Sequence, residues 1–144
     1  MTKISIIGAG SAFTRHLVVD VLSISGIDNG VIALVDIDPQ RLQLAQQLVE
    51  MIVEKMGKKW TVLASCDRRE VLADSDFVIN QIEVHGLETV KFEFEIPLKY
   101  GVKQCIGDTM GPGGLFKTLR TLPAWMEILA DIEELAPQSV ILNY

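Results

Sequence analysis

A glycine turn between a short apolar run and an amphipathic segment constrains the fold of this chain more than any other feature. Residues 4–7 form the apolar run, which is rich in isoleucine, as in strands buried on both faces of a parallel sheet. Gly8 and Gly10 end this run at once. From Phe13 onward apolar residues recur at helical spacing, with Ser11 placed to cap the helix. The order of strand, glycine turn and helix predicts the first unit of an α/β sheet.

The rest of the chain continues this alternation. Pro39 is placed to open a helix, Gly101 to follow the end of another, and Pro123 predicts an interruption in the last one. Strands separated by helices of this length indicate a doubly wound parallel sheet covered on both faces. The predicted strands are residues 4–7, 31–35, 60–64, 76–80 and 139–143, and residues 102–106 are expected to be extended. Helical patterns cover residues 13–22, roughly 40–56, 88–100 and 115–135, and residues 67–73 form a short turn or helix.

Length and composition limit the class of protein. A chain of 144 residues with 49% hydrophobic and 22% charged residues suits one globular domain, and no internal repeat or linker to a second domain is visible. The net charge of −6 disfavours nucleic acid and anionic membranes as partners. Cys66 and Cys105 lie far apart, which predicts neither a disulfide framework nor a zinc site and favours the reducing cytoplasm. No segment approaches the roughly 18 apolar residues of a membrane helix.

The first glycine turn has the features of a dinucleotide site. Backbone N–H groups at a helix mouth attract a pyrophosphate, and glycine lets it come close. Gly8 and Gly10 occupy the first two positions of the glycine motif, whereas Phe13 occupies the third, so the strand and helix must pack differently from the strict pattern. Asp36 ends the second strand 28 positions after Gly8. This separation is longer than is usual for the motif, and a long connection at residues 23–30 accounts for it. A carboxylate there would bind the adenosine ribose and repel a 2′-phosphate, which favours NAD over NADP.

A purely structural role is the alternative explanation for the same residues. The two glycines can simply make a tight turn, while Asp36 and Asp38 cap the helix that follows. The sequence by itself therefore leaves both interpretations open, although the combination of turn, helix and acidic strand end favours nucleotide binding.

A second glycine-rich stretch, residues 107–114, carries Asp108 and Thr109. Ligands of doubly wound sheets bind beyond the carboxyl ends of the strands, so both glycine stretches are expected at one crevice. An ordinary capped turn, in which Asp108 or Thr109 accepts from helix amides, explains the stretch equally well.

Other polar residues in the second half of the chain say less about function. Glu83 and His85 follow the fourth strand, where contacts to the nicotinamide half of a dinucleotide usually arise, and this position favours a functional role for Glu83. For His85 a buried or loop-packed role is the better explanation, because no other metal-ligating residue lies at ligand spacing from it. Lys117, Arg120 and residues 131–134 are interpreted as solvated helix faces.

Several motifs together resemble the N-terminal part of the family 4 glycoside hydrolases, which are NAD- and manganese-dependent glycosidases. The resemblance spans nearly the whole chain, and the long string Ile-Gly-Asp-Thr-Met-Gly-Pro-Gly-Gly-Leu-Phe is its most specific piece. The matching segments are residues 6–12, 36–38, 41–42, 76–81, 106–116, 119–123 and 142–144.

The resemblance implies a Rossmann-type NAD-binding domain, similar to that of lactate and malate dehydrogenases, and an unusual hydrolysis. NAD oxidises the C3 hydroxyl of the sugar, a base removes the acidified C2 proton, the glycosidic oxygen is eliminated, and water and the hydride are then returned. It implies that Asp108 is catalytic, near sugar and metal, and that Glu83, Asp108, Thr109 and Asn143 bind substrate. The cofactor-binding residues it implies are Gly8, Gly10, Ser11, Ala12, Phe13, Asp36, Asp38, Arg41, Asn80 and Gln81.

In this family the cysteine and histidine ligands of Mn²⁺ and the tyrosine base follow Tyr144. The resemblance therefore predicts that residues 1–144 bind NAD, hold no metal ligand and do not hydrolyse glycosides without the C-terminal catalytic and metal-binding domain. Members that act on 6-phosphorylated sugars tend to carry Gln-Glu-Thr at residues 107–109, so Gly-Asp-Thr favours an α-galactoside or α-glucoside. A 6-phospho-glycosidase is the alternative. A small sugar as partner and a homo-oligomeric full-length protein complete the expectation.

Two other classes share the opening motif. A lactate- or malate-type dehydrogenase would use NAD for net hydride transfer, but it carries a substrate-binding arginine on a mobile loop after the fourth strand, where this chain has Glu-Val-His-Gly at residues 83–86. A non-catalytic nucleotide-sensing domain has a similar length, but it has no use for residues 107–114.

Overall fold

Five parallel strands and five helices make up the computed structural model, which describes residues 1–104 and 110–144. The strand order is β3-β2-β1-β4-β5, so the chain moves outward from β1 in one direction, then returns and continues in the other. The predicted doubly wound α/β sheet is confirmed. The strands are β1 (Thr2–Ile7), β2 (Asn29–Val35), β3 (Lys59–Ser65), β4 (Phe77–Asn80) and β5 (Val140–Asn143), and the helices are α1 (Thr14–Ser23), α2 (Pro39–Lys55), α3 (Arg68–Leu72), α4 (Leu87–Lys99) and α5 (Gly111–Leu135).

The chain divides into two compact units. The first comprises Met1–Ile82 and Asp131–Tyr144, and it contains the whole sheet. The second comprises Glu83–Ala130 and contains α4 and most of α5. None of the helices in the described part of the chain is long and apolar enough to cross a membrane.

The core of the first unit lies where the apolar runs predicted it. Ile6 of β1 and Leu34 of β2 are fully buried, and Val18 of α1 and Val49 of α2 pack in the same cluster. Each such side chain contributes roughly 1.5–3 kcal/mol through burial. Because β1 has a partner strand on both sides, its end is held firmly, and the turn that follows starts from a fixed point.

The last strand differs from the central ones. Val140, Ile141 and Leu142 of β5 are exposed, although β5 pairs with β4 over its whole length. It forms one edge of the sheet, so its outer backbone groups have no neighbouring strand in the described part of the chain.

The structure corrects the predicted helix boundaries at two places. Helix α1 begins at Thr14 and not beside Ser11, because the hydroxyl of Ser11 accepts from the N–H of Phe13 within a preceding turn and caps no helical amide. Helix α5 begins at Gly111 and continues through Pro123 without a break. A proline removes only one helical hydrogen bond, and the long helical segments on both sides tolerate that loss. Of the segment predicted to be extended, residues 102–104 are irregular and residues 105–106 lie outside the described residues.

Candidate cofactor site

The turn after β1 needs glycine at two positions for reasons of packing. The N–H groups of Gly8 and Ala9 both donate to the carbonyl of Val35 at 2.9 Å, which holds the turn against the end of β2. Gly8 has a φ of +83°, and a Cβ there would lie 2.9 Å from the carbonyl oxygen of Gln81. A Cβ on Gly10 would lie 2.8 Å from Asp36 Oδ2. Larger residues at either position would therefore push apart the elements that form the site.

Asp36 is bonded directly to the glycine turn. Its Oδ2 accepts from the N–H of Gly10 at 2.7 Å, and its Oδ1 accepts from the N–H of Asp38 at 3.0 Å. A carboxylate has about four acceptor sites, so each oxygen keeps capacity for a hydroxyl of a ligand. The arrangement fixes the acid beside the mouth of α1, where the sequence predicted a ribose contact.

Asp38 caps a helix, which is one of the two roles that the sequence left open for it. Its Oδ1 accepts from the N–H groups of Gln40 and Arg41 at 2.9 and 3.1 Å, which makes it the N-cap of α2. Ile37 lies between the two acids with 93% of its surface exposed. A large apolar side chain so fully in water has no packing role of its own, and it was not recognised as a candidate from the sequence.

Open backbone donors remain in the turn. Within the described residues the N–H of Ala12 has no acceptor, whereas the N–H of Ser11 donates to the carbonyl of Gly8. Phe13, at the third position of the glycine motif, is exposed, and its ring centroid lies 5.9 Å from that of Tyr144. The turn thus presents an unpaired amide and an aromatic surface to solvent, next to the first turn of a helix.

Two amide side chains stand at the end of β4. Asn80 is buried, and its Nδ2 donates to Oδ1 of Asn143 at 2.7 Å across the β4–β5 pair. Gln81 donates through Nε2 to the hydroxyl of Thr14 at 2.6 Å. That hydroxyl in turn donates to the carbonyl of Ala9 at 2.7 Å, so Thr14 connects the end of β4 to the glycine turn. Thr14 was not among the residues predicted from the sequence, although a hydroxyl residue shortly after a glycine turn is a usable signal.

The second unit contains a cluster of charges that joins the connector after β4, α4 and α5. Both oxygens of Glu83 are paired, with Lys117 Nζ at 2.9 Å and with Arg120 Nη2 at 3.1 Å. Arg120 also pairs with Glu93 at 2.6 Å and donates from Nε to the carbonyl of Val84 at 2.9 Å. Glu83, predicted to bind substrate, is therefore an ion-pair partner within its own unit.

The interpretation of Arg120 as part of a solvated helix face is wrong. Only 14% of its side chain is exposed, and that of Glu93 is 7% exposed. Burial alone would lower the pKa of Arg120, but its pairing with Glu93 and Glu83 outweighs burial and raises that pKa. Next to this cluster, His85 adopts a φ of +64°, which is uncommon for a residue with a side chain.

Asp131, in the first unit, was also predicted to lie on a solvated helix face, and for this residue that prediction is wrong as well. Its side chain is 12% exposed and is paired with both Arg68 and Arg69, and Arg69 also pairs with Glu134. Burial would raise the pKa of Asp131, but the hydrogen bonds from Arg69 and Arg68 outweigh it and lower that pKa. These contacts attach the end of α5 to α3.

Asp108 and Thr109 lie outside the described residues. Across residues 1–104 and 110–144, no group of three or more His, Cys, Asp or Glu side chains could hold a metal ion.

Comparisons with known proteins agree with this architecture. The sequence pattern described as "Family 4 glycosyl hydrolase" matches residues 3–144. The chain is 39% identical to an alpha-galactosidase of Bacillus subtilis (strain 168) over 146 aligned residues, which cover 100% of the chain and 34% of that relative. The chain thus spans about a third of the length of the curated relatives it matches.

Solved structures show the same partial coverage. The 6-phospho-beta glucosidase of Thermotoga maritima, determined with manganese, NAD+ and glucose-6-phosphate, superposes with a TM-score of 0.88 at 28% identity, covering 100% of this chain and 34% of that one. A malate dehydrogenase of Plasmodium falciparum superposes with a TM-score of 0.63 at 12% identity, covering 99% of this chain and 36% of that one, which shows a shared fold only.

Proposed function

Because the chain belongs to the family 4 glycosyl hydrolases, we propose that it is the NAD-binding domain of a glycosidase that cleaves its substrate by C3 oxidation, C2 deprotonation and elimination. The observation that carries the proposal is the hydrogen bond between the Asp36 carboxylate and the N–H of Gly10 in the turn after β1. It joins an acid suited to a ribose to a turn suited to a pyrophosphate. The Thermotoga maritima relative, determined with NAD+, supports the choice of cofactor.

The residues of the turn fit each part of the dinucleotide. The N–H of Ala12, which lacks an acceptor within the described residues, would donate to the pyrophosphate at the start of α1. Asp36 would accept from the adenosine ribose hydroxyls with the lone pairs that Gly10 and Asp38 leave open. Ile37 would cover one face of the adenine, which would bury its exposed side chain.

The other half of the cofactor would lie towards β4. Asn80 has a buried Oδ1 without a hydrogen-bond partner in the described part of the chain, and Asn143 lies beside it in register. These amides would orient the nicotinamide end. When bound, NAD would supply the hydride acceptor for the sugar, and the protein residues named here would hold and orient it.

Calorimetry with NAD tests the proposal directly. We expect the chain to bind NAD, and Asp36→Asn to weaken binding by roughly tenfold to a hundredfold, since hydrogen bonds to a charged group are lost. Asp28→Asn is the matched control, because Asp28 is an exposed acid paired only with Lys58 in the described part of the chain. If folded protein releases no heat with millimolar NAD, the proposal fails.

For the sugar, we favour an α-galactoside or α-glucoside. The Gly-Asp-Thr sequence at residues 107–109 and the likeness to an alpha-galactosidase support this choice. A 6-phospho-glycoside is the second candidate, supported by the likeness to the Thermotoga maritima enzyme. Manganese-dependent release of nitrophenol by the intact protein, from nitrophenyl α-galactoside or α-glucoside on the one hand and from nitrophenyl β-glucoside 6-phosphate on the other, distinguishes the two.

The catalytic parts of this proposal rest on the resemblance. Asp108 and Thr109 would act near the sugar, and Glu83 would do so from within its ion pairs with Lys117 and Arg120. The resemblance assigns the manganese ligands to the C-terminal domain of the family. We therefore expect residues 1–144 to bind NAD without hydrolysing nitrophenyl glycosides. Hydrolysis by residues 1–144 alone in the presence of manganese would contradict this part.

A further inference from the structure

The hydroxyl of Thr14 lies in the middle of a chain of hydrogen bonds that joins the glycine turn to the end of β4. Thr14 is the first residue of α1, and it is only 2% exposed. Its Oγ1 donates to the carbonyl of Ala9 at 2.7 Å and accepts from Nε2 of Gln81 at 2.6 Å. The backbone N–H of Gln81 donates to the carbonyl of Ile7 at 3.0 Å. The side chain of Gln81 is therefore held both at its backbone and at its terminal nitrogen.

The direction of these bonds determines which carboxamide atom of Gln81 faces away from Thr14. A threonine hydroxyl has one proton, and the carbonyl of Ala9 can only accept, so that proton goes to Ala9. Thr14 must then accept from Gln81, and only the NH₂ group of a carboxamide can donate. The remaining atom, Oε1 of Gln81, is an acceptor that is buried without a hydrogen-bond partner in the described part of the chain. Such an acceptor costs free energy until a donor reaches it.

This acceptor lies at the switch point of the sheet. β1 is flanked by β2 on one side and by β4 on the other, and the chain winds outward from it in both directions. Ligands of such sheets bind at this point, beyond the carboxyl ends of the strands. Asp36 follows β2 and Gln81 follows β4, so the two residues stand on opposite sides of β1. With the adenosine ribose at Asp36, the part of the dinucleotide that reaches Gln81 is the nicotinamide half.

We propose that Thr14 is a positioning residue, which holds the carboxamide of Gln81 so that Oε1 accepts a hydrogen bond from the nicotinamide riboside half of the cofactor. The donors on that half are the ribose hydroxyls and the N–H groups of the nicotinamide carboxamide. Thr14 has no proton left for the ligand, so it acts only through Gln81. This role rests on the proposed function, because it requires that Asp36 hold the adenosine half beside β2.

Calorimetric titrations with NAD and with ADP separate this role from a merely structural one. ADP has the adenosine and the two phosphates of NAD but lacks the nicotinamide riboside. Thr14→Val removes the hydroxyl with little change of shape, and it should weaken NAD binding about tenfold while ADP binding changes by less than about twofold. Thr14→Ser keeps the hydroxyl and should bind NAD within about threefold of the unchanged chain. Ser5→Ala is the matched control and should change neither ligand, because it removes a buried hydroxyl that bonds to Ser75 within the body of the first unit.

A double-mutant cycle tests whether Thr14 acts through Gln81. Gln81→Met removes the carboxamide and should weaken NAD binding as much as Thr14→Val does. The double variant should bind NAD no more weakly than either single variant, because the two changes remove the same contact. Additive losses would overturn the proposal, and so would an unchanged NAD affinity in Thr14→Val or equal losses of NAD and ADP binding.

Circular dichroism establishes first that each variant is folded. If Thr14→Val does not fold, Gln81→Met decides the proposal, which then requires NAD binding to weaken about tenfold more than ADP binding. If the unchanged chain binds NAD and the variants do not behave as expected, only the role of Thr14 falls. If the folded, unchanged chain binds neither NAD nor ADP, the proposed function falls as well.

Discussion

The turn after β1 and the connector after β4 both place a residue at positive φ, but different interactions hold them there. At Gly8 a side chain would collide with the backbone at Gln81, so close packing determines the residue. His85 carries a side chain at a φ of +64°. Arg120 holds the two residues that precede His85, because it pairs with the carboxylate of Glu83 and donates to the backbone carbonyl of Val84. One region is fixed by contact between backbones, and the other by charge. The first depends on shape and the second depends on its partners being ionised.

The largest expected effect comes from Gly8→Ala, which tests the packing half of the comparison. A left-handed backbone with a side chain and an overpacked contact together cost roughly 2–6 kcal/mol of unfolding free energy. Chemical denaturation followed by circular dichroism measures this loss. Gly57→Ala is the matched control, because Gly57 has a φ of +64° with no atom within 4 Å of its added Cβ. Equal losses in the two variants would show that collision at Gly8 contributes nothing.

Arg120→Met tests the other region of the comparison, the connector after β4 that is held by charge. Removal of one partner leaves Glu93 buried without its cation, which we expect to cost about 3–5 kcal/mol in the second unit. Hydrogen exchange should rise at the amides of residues 83–86. Lys117→Met removes only the more exposed contact to Glu83 and should cost less than about 1 kcal/mol. A similar loss in both variants would argue against a central role for Arg120.

An acid titration extends the comparison to the ion pairs of Asp131 in the first unit. Its folded pKa is lowered below the ordinary value of 3.8, so its stabilisation is present above that pH and is lost as the pH falls through the folded pKa. Asp131→Asn should lower the unfolding free energy by about 1.5–3 kcal/mol at neutral pH. The difference between the two proteins, measured by denaturation at several pH values, should shrink below about pH 4. A difference independent of pH would contradict the assignment.

The smallest expected effect is a gain in the free energy of unfolding. His85→Gly should raise the unfolding free energy by about 1 kcal/mol, because glycine adopts positive φ without the cost that a side chain carries. His85→Ala keeps that cost and should bring no such gain. Thermal unfolding of the two variants, compared with the unchanged chain, decides the point. A gain in both would mean that the imidazole itself, and not the backbone, is unfavourable there.

The fold followed from the sequence because its signals are local. Short apolar runs and helical periodicity lie within segments of a few residues, and the strand order then follows the usual rules of α/β connections. The places of Asp36 and Gly8 in the fold could be predicted for the same reason. Asp36 ends a strand and Gly8 begins a turn, so each can be placed from its neighbours in the chain.

The supporting contacts could not be predicted because their partners are distant in sequence. The hydroxyl of Thr14 binds Gln81, 67 positions away, and Asp131 binds Arg68, 63 positions away. Nothing in the local pattern separates Arg120 from a solvated arginine on a helix surface, and only the fold brings Glu93 to it. Whether Asp38 caps a helix or binds a ligand is also decided by backbone geometry.

The open edge at β5 has a practical consequence for work with the purified domain. Three neighbouring aliphatic side chains in water lie beside backbone groups that no strand in the described part of the chain pairs with, and such an edge offers a template on which another extended chain can add. Solutions of the domain should therefore become turbid as they are concentrated. A lysine in place of Ile141 would put a charge on that flank and keep the sample clear enough for the calorimetry on which the cofactor assignment depends.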